Sequence, residues 1–333
     1  MRSLKFFLIV LVFSGCFEPD RQIAAPLANE VLLTSDVTSN QAVYLNLSHQ
    51  NIELDPFDKK WHLKFQNAKN GWSIYMNPLE NVAIHQTTIT NFDAVDSTFN
   101  LVGLKWLIDA PTSKGAYPAF AGWGDFNFST PKSFKNVYIL RLKNDITAIF
   151  YKVQVLDASD DAYRIRYASL NGDIDHTVTV NKDELYTHSF LRLASEPVQP
   201  KVEPKKNDWD LCLTFIADSI TKQGNLPFLP TINDYYGVYQ ALLINNDYNK
   251  IAIDSIHSFD EIDFFKTQSL IFNSRDQLHS VLIDWDEVNL QATISTDNFL
   301  IVQKNDSYYA IKSQRITGNY PIDFDLELII KTL

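Results

Sequence analysis

The chain is poor in the residues from which many sites are built. Only two of its 333 residues are cysteines, Cys16 and Cys212, which excludes a disulfide-stapled scaffold and a four-cysteine zinc site. Basic charge is in deficit. With 29 Lys plus Arg against 40 Asp plus Glu, the formal charge is -11, which argues against nucleic acid as the main partner because that needs a basic footprint. Beyond the first 15 residues, no apolar run approaches the ~20 residues of a membrane-crossing helix. No metalloprotease, Walker, dinucleotide, kinase or esterase-elbow pattern is present. None of the seven histidines stands two, three or four residues from another, as a local metal pair requires. No catalytic residue and no metal ligand is assigned on these grounds. Gly122-Trp123-Gly124 is a lone Gly-X-Gly and reads as turn geometry.

What is present is apolar bulk, 45% of residues with 13% aromatic, enough for one large or two modest cores. The chain starts with the basic segment Met1 to Lys5, then the apolar run Phe6 to Phe13, then Ser14-Gly15-Cys16. Eight residues make roughly 12 Å of helix, far short of a hydrocarbon core of about 30 Å, so the segment reads as an export signal. Small residues directly before a cysteine are similar to a bacterial lipoprotein signal, which predicts removal of residues 1–15 and lipidation of Cys16. The alternative is a secretory signal that happens to contain a cysteine. Removing 15 residues from 333 leaves 318, and losing Arg2 and Lys5 takes the charge from -11 to -13. Cys212 then remains as the only thiol and reads as a small buried hydrophobe.

Residues 16–30 hold two prolines and mixed charge without periodicity and read as a tether. Alternating runs follow, among them Trp61-His62-Leu63-Lys64-Phe65 with Trp61, Leu63 and Phe65 on one face, and Tyr163-Arg164-Ile165-Arg166-Tyr167. Val137 to Leu142 and Ile146 to Leu156 read as a hairpin around Lys143-Asn144-Asp145. Three prolines between 196 and 206 mark a boundary, predicting a β lobe over 31–198 and another over 199–333. Two echoes suggest duplication. Lys143-Asn144-Asp145 recurs as Lys304-Asn305-Asp306 at an offset of 161, and Trp61-His62-Leu63 as Trp209-Asp210-Leu211 at 148. Phe259, Ile262 and Phe265 predict one short helix. The expected fold is all-β, mainly antiparallel, with few short helices and a duplicated or two-lobed build.

Met76, the only methionine of the mature chain, and His85 both follow short strand patterns. A thioether and an imidazole are a competent pair of axial haem ligands. The competing reading makes Met76 a core filler and His85 surface decoration. His62, opposite the apolar face of its strand, reads as solvent-exposed. Acidic groups such as Asp157, Asp160 and Asp161 lack calcium-loop spacing and read as turns.

Taken together, Cys16, Trp61-His62-Leu63-Lys64-Phe65, Trp209-Asp210-Leu211, the hairpin leading to Tyr151-Lys152-Val153, and Phe324-Asp325-Leu326 resemble the HmuY-like lipoproteins of Bacteroidetes. The resemblance extends over about residues 40–333 through short, degenerate motifs. It implies a mostly β fold, lipid anchoring at the outer membrane, haem binding, and work beside a TonB-dependent receptor. His62 stands where Asp is expected, as at Asp210, and Ala310 replaces the lysine found at Lys152. The expected function is non-enzymatic binding of haem or another small ligand. The alternative is an interaction or scaffold subunit of an envelope complex, with a carbohydrate-active hydrolase third.

Overall fold

The computed structural model describes residues 30–38, 42–54, 60–77, 80, 82–112, 115–117, 119–120, 122–143, 148–219, 236–245, 249–274, 277–279, 282–286, 291–295, 298–319 and 323–333. The expected signal, Cys16 and nearly all of the tether lie outside them. The described chain is all-β, apart from a 3-10 turn at Phe92–Ala94 and one short helix.

The first strands are β1 (Glu30–Thr38), β2 (Val43–Asn46) and β3 (Asn51–Leu54). Then come β4 (Leu63–Gln66), β5 (Ile74–Met76), β6 (Ala83–Gln86), β7 (Ala110–Thr112), β8 (Gly115–Tyr117), β9 (Gly124–Asp125) and β10 (Lys132–Ser133). The long meander is β11 (Val137–Lys143), β12 (Ala148–Ala158), β13 (Ala162–Ser169) and β14 (Asp175–Asn181), followed by β15 (His188–Leu191). Next are β16 (Leu211–Ser219), β17 (Tyr236–Ile244), β18 (Asn249–Asp254) and helix α1 (Phe264–Thr267). The chain closes with β19 (Gln277–His279), β20 (Ile283–Asp286), β21 (Gln291–Ile294), β22 (Phe299–Lys304), β23 (Ser307–Asn319) and β24 (Asp323–Thr332).

Hydrogen bonding sorts these strands into two units. In the first, the sheet β14-β13-β12-β11-β6 shares a core with β15-β4-β5. Alternation supplies that core: Tyr163, Ile165 and Tyr167 of β13 point inward to meet Leu63, Phe65 and Ile74. In the second unit, β1-β24-β23-β22-β18 covers β19-β17-β16-β2-β3, with Leu326, Leu328 and Ile330 meeting Leu211, Leu213 and Val43. Every strand of the first unit's two sheets has a counterpart in order, β4 with β16, β5 with β17, β6 with β18, β11 to β13 with β22 to β24, and β14 and β15 with β1 and β2, while β3 and β19 extend the second unit's smaller sheet at its edges. Even the irregularities match, since the register shift between Val155 and Asp157 recurs between Ser313 and Arg315.

The second unit is therefore closed by strands from the far end of the chain. β1 pairs with β24 from Glu30↔Lys331 to Thr38↔Asp323, and β2 with β16 from Leu45↔Leu211 to Val43↔Leu213. This corrects the expected division at 31–198 and 199–333, because β1, β2 and β3 belong to the sheets of the C-terminal unit. Sequence adjacency assigned them to the first lobe, whereas their pairing partners lie far along the chain. The proline-rich stretch is held from both sides. The Val202 carbonyl accepts from the Tyr44 hydroxyl at 3.2 Å, and Glu203 Oε1 accepts from Thr187 Oγ1 at 2.6 Å and the His188 amide at 2.7 Å. The expected helix is displaced. Phe259 and Ile262 are buried in turns, and α1 starts only at Phe264, where the Asp263 side chain accepts from the Lys266 amide.

Candidate functional site

The two Trp-X-Leu motifs form the same knot in each unit. The His62 amide donates to the Leu191 carbonyl at 2.9 Å and its carbonyl accepts from the Asn77 amide at 3.1 Å. Its Nδ1 accepts from the Leu193 amide at 3.0 Å, and Asn77 Nδ2 donates to the Trp61 carbonyl at 2.9 Å. At Asp210 the same bonds run to Leu45 (2.7 Å), from Asn245 (2.9 Å), and from the Leu47 amide to Oδ2 (2.7 Å). Asn245 Nδ2 donates to the Trp209 carbonyl at 2.9 Å. The indoles repeat too, Trp61 edge-on to Phe190 at 5.2 Å and Trp209 edge-on to Tyr44 at 5.4 Å. Trp61 thus leaves the face shared by Leu63 and Phe65. His62 is not solvent-exposed as expected: burial, with Arg192 as a lesser cause, lowers its pKa to about 4, so it is neutral at pH 7. Asp210 is fully buried and pairs with Lys304 at 2.8 Å.

A second duplicated feature lies on the outer face of each large sheet. In the first unit, Lys152 Nζ donates to the Phe92 carbonyl at 3.1 Å, while Arg166 covers the Phe92 ring at 4.1 Å and pairs with Asp93 at 3.1 Å. In the second, Lys331 Nζ donates to the Phe259 carbonyl at 3.4 Å and the Asp260 carbonyl at 3.0 Å. Lys312 covers the Phe259 ring at 4.3 Å and pairs with Asp260 at 3.7 Å. The cations have changed strands. Lys152 faces Ala168 across β12 and β13, and Ala310 faces Lys331 across β23 and β24. The missing lysine at Ala310 is thus supplied by its cross-strand neighbour.

Met76 and His85 are not brought together. Met76 is buried beside Leu63 in the inner core, at the position that Ile244 fills in the second unit. Its amide donates to Asp109 Oδ2. His85 lies opposite Ile139, whose side chain belongs to the outer cluster with Phe92 and Val95, while its neighbour Ile84 points into the inner core. The His85 ring lies 6.3 Å from Trp106, and Nδ1 is 3.0 Å from the Lys105 carbonyl, which makes Nδ1 the donor. The sheet stands between the two side chains, so they do not face one axial site. Cys212 is buried, as expected of a small hydrophobe. Among the described residues, no group of three or more His, Cys, Asp or Glu side chains is arranged to hold a metal ion.

The feature that sequence reasoning missed is the β9–β10 hairpin. Trp123 is buried and its Nε1 donates to the Trp72 carbonyl at 3.0 Å. Ser133 Oγ donates to the Val155 carbonyl at 2.5 Å, and the Phe134 amide to the Trp123 carbonyl at 3.0 Å. A Cβ on Gly124 would stand 2.9 Å from the Lys132 carbonyl oxygen, so this close approach requires glycine. From this fixed base Phe126, Phe128 and Phe134 are exposed, flanked by exposed Lys132 and Lys135. The available signal was three phenylalanines within nine residues, divided by Pro131, which interrupts the continuous strand that could have buried them on one face. In comparisons with family models, curated proteins and solved structures, nothing matches the chain.

Proposed function

We propose that the protein is a non-catalytic interaction subunit of a cell-envelope complex, held at the outer membrane through a lipid on Cys16. The single observation that carries this reading is the rigid hairpin bearing Phe126, Phe128 and Phe134, because preorganised exposed aromatics are the usual anchors of protein interfaces. Lys132 and Lys135 beside them select a partner surface with an apolar recess and an acidic rim. A TonB-dependent receptor, implied by the resemblance to HmuY-like lipoproteins, is one protein of that kind. The polar groups of the two knots support a role without catalysis, since His62 and Asp210 are engaged with backbone amides. Haem binding by Met76 and His85 is the weaker reading, because the two side chains point to opposite sides of a sheet.

Gentle solubilisation followed by cross-linking tests the proposal. Wild-type protein co-purifies with an envelope protein, and Phe128→Asp with Phe134→Asp abolishes this while the unfolding free energy from urea titration stays within about 0.5 kcal/mol of wild type, as surface changes do. Protein that remains alone under these conditions defeats the reading. Haemin titration is the counter-test, and a saturable Soret shift at micromolar haemin that Met76→Ala removes would restore the haem reading. Mass analysis of Cys16 tests the anchor.

A further inference from the structure

The tether meets the second unit at Glu30, the first residue of β1, which pairs with Lys331 near the end of β24. That end of the sheet also carries Tyr308 and Leu333, joined by the Leu333 amide donating to the Tyr308 carbonyl at 2.9 Å. Over it sit α1 and the turn that follows. Phe264 and Phe272 both contact the Tyr308 ring, at 5.4 and 5.6 Å, and Leu32 of β1 joins the same apolar cluster as Leu270 and Phe272. Beyond this cluster three large apolar side chains project outward: Phe265 at 82% exposure, Ile271 at 80% and Phe264 at 44%.

We infer that this knob, Phe264, Phe265 and Ile271, is the face on which the body rests against the bilayer. The inference builds on the lipid anchor proposed above. From Cys16 to Glu30 the backbone spans fourteen residue steps, which limits the body to within about 50 Å of the lipid even when fully extended. The knob lies at the end of the sheet where that segment joins. Its shape favours fluid lipid over a folded partner. The side chains project from a short helix and a turn instead of lining a groove, and an apolar projection sinks into the acyl boundary without needing a complementary recess. Asp260, Glu261 and Asp263 in the same segment are exposed, so the matching surface is zwitterionic, not anionic. The Phe-bearing hairpin of the first unit then serves the protein partner while the knob serves the membrane.

The test is a depth measurement on the mature chain in phosphatidylcholine–phosphatidylethanolamine vesicles. Spin labels are placed by Phe265→Cys, Ile271→Cys and, as the water-exposed control, Phe128→Cys, with Cys212 buried. Labels at 265 and 271 are expected to collide with oxygen in preference to a nickel chelate, and the label at 128 the reverse. Unlabelled Phe265→Asp with Ile271→Asp weakens vesicle partitioning by about tenfold or more, as expected for losing two inserted side chains. Equal nickel accessibility at all three positions overturns the inference, as does protection at 265 and 271 that depends on an added envelope protein. If mass analysis finds Cys16 unmodified, the anchor reading fails by itself, and the same labels on mature chain carrying Cys16→Ser, added to vesicles, still decide the knob.

Discussion

His62 and Asp210 occupy the same corner of two matching units, take the same backbone bond from the residue two places past Leu191 or Leu45, and differ in charge. In the first unit a neutral imidazole suffices, because burial makes protonation unfavourable. In the second a carboxylate is affordable only because Lys304 stands against it at 2.8 Å and Asn249 Nδ2 donates at 3.2 Å. The outer faces teach the same lesson. A lysine is needed to satisfy the carbonyl of Phe92 or Phe259, but either of two cross-strand positions can send it. What is kept between the units is the hydrogen-bonding requirement; the residue that meets it is free to change.

The largest expected effect is at Asp210. Asp210→Ala takes the buried carboxylate from the largely covered Lys304 and from the Leu47 amide and should cost about 3–5 kcal/mol, whereas His62→Ala, losing one acceptor, should cost about 1–3 kcal/mol. Urea unfolding of the two variants measures the contrast, and equal losses would break the equivalence of the corners. Lys152→Ala alone should cost about 1–3 kcal/mol by orphaning the Phe92 carbonyl. Adding Ala168→Lys should restore most of that loss, since the second unit uses that arrangement, and failure to restore it would mean that the units differ in backbone as well as side chains.

A smaller effect is in pH dependence. Burial pushes the Asp109 carboxyl up to about 6, against the amides of Ala119 and Met76 that favour its ionised form. A raised folded pKa gives stability that is complete below the unfolded value near 3.8 and lost as pH rises through about 6. His62 is the reverse: its lowered pKa gives stability present above about 6.5 and lost as pH falls towards 4. The two slopes oppose each other in one window. Asp109→Asn should therefore steepen acid destabilisation between pH 6 and 4 by at most about 1.4 kcal/mol per pH unit, and His62→Asn should flatten it. Smallest of all, Met76→Ile copies Ile244 and should cost under about 1.5 kcal/mol as a near volume-conserving swap. A larger penalty would show that Met76 does more than fill the core.

The strands and the duplication were legible in the alternation of residues such as Tyr163, Ile165 and Tyr167. The Trp-X-Leu echo was in register, since Leu63 and Leu211 are equivalent. The Lys-Asn-Asp echo was one residue out. Inward-facing Leu140 corresponds to Val302, at an offset of 162, because this echo rested on turn residues while the β11–β12 hairpin is longer than the two-residue turn between Lys304 and Ser307. A one-residue slip exchanges the faces of a strand, so turn chemistry cannot set register alone. The closure of the second unit by β1 and β2 left no local trace, for pairing partners are chosen by surface complementarity and not by nearness in the chain. The hairpin phenylalanines were missed for a related reason: exposure depends on what fails to cover a residue.

Closure by β1 has a consequence for the order of folding. The strands of the first unit run without interruption from β4 to β15, so it can complete itself as soon as residue 191 is available. The second must hold β16 to β24 with an edge of each sheet unpaired until β1 meets β24 and β2 meets β16. The extra loop entropy over a hairpin-closed edge such as β13–β14 is about 3–4 kcal/mol, held that low because loop cost grows only logarithmically with length. The delay is larger than that figure suggests, since such distant contacts form late. Refolding should proceed in two phases, with the slow one shared by β1, β2 and β24. Until that phase ends, β24 and β16 each keep an open edge, and this is the interval in which the chain is most prone to pair with a second copy of itself.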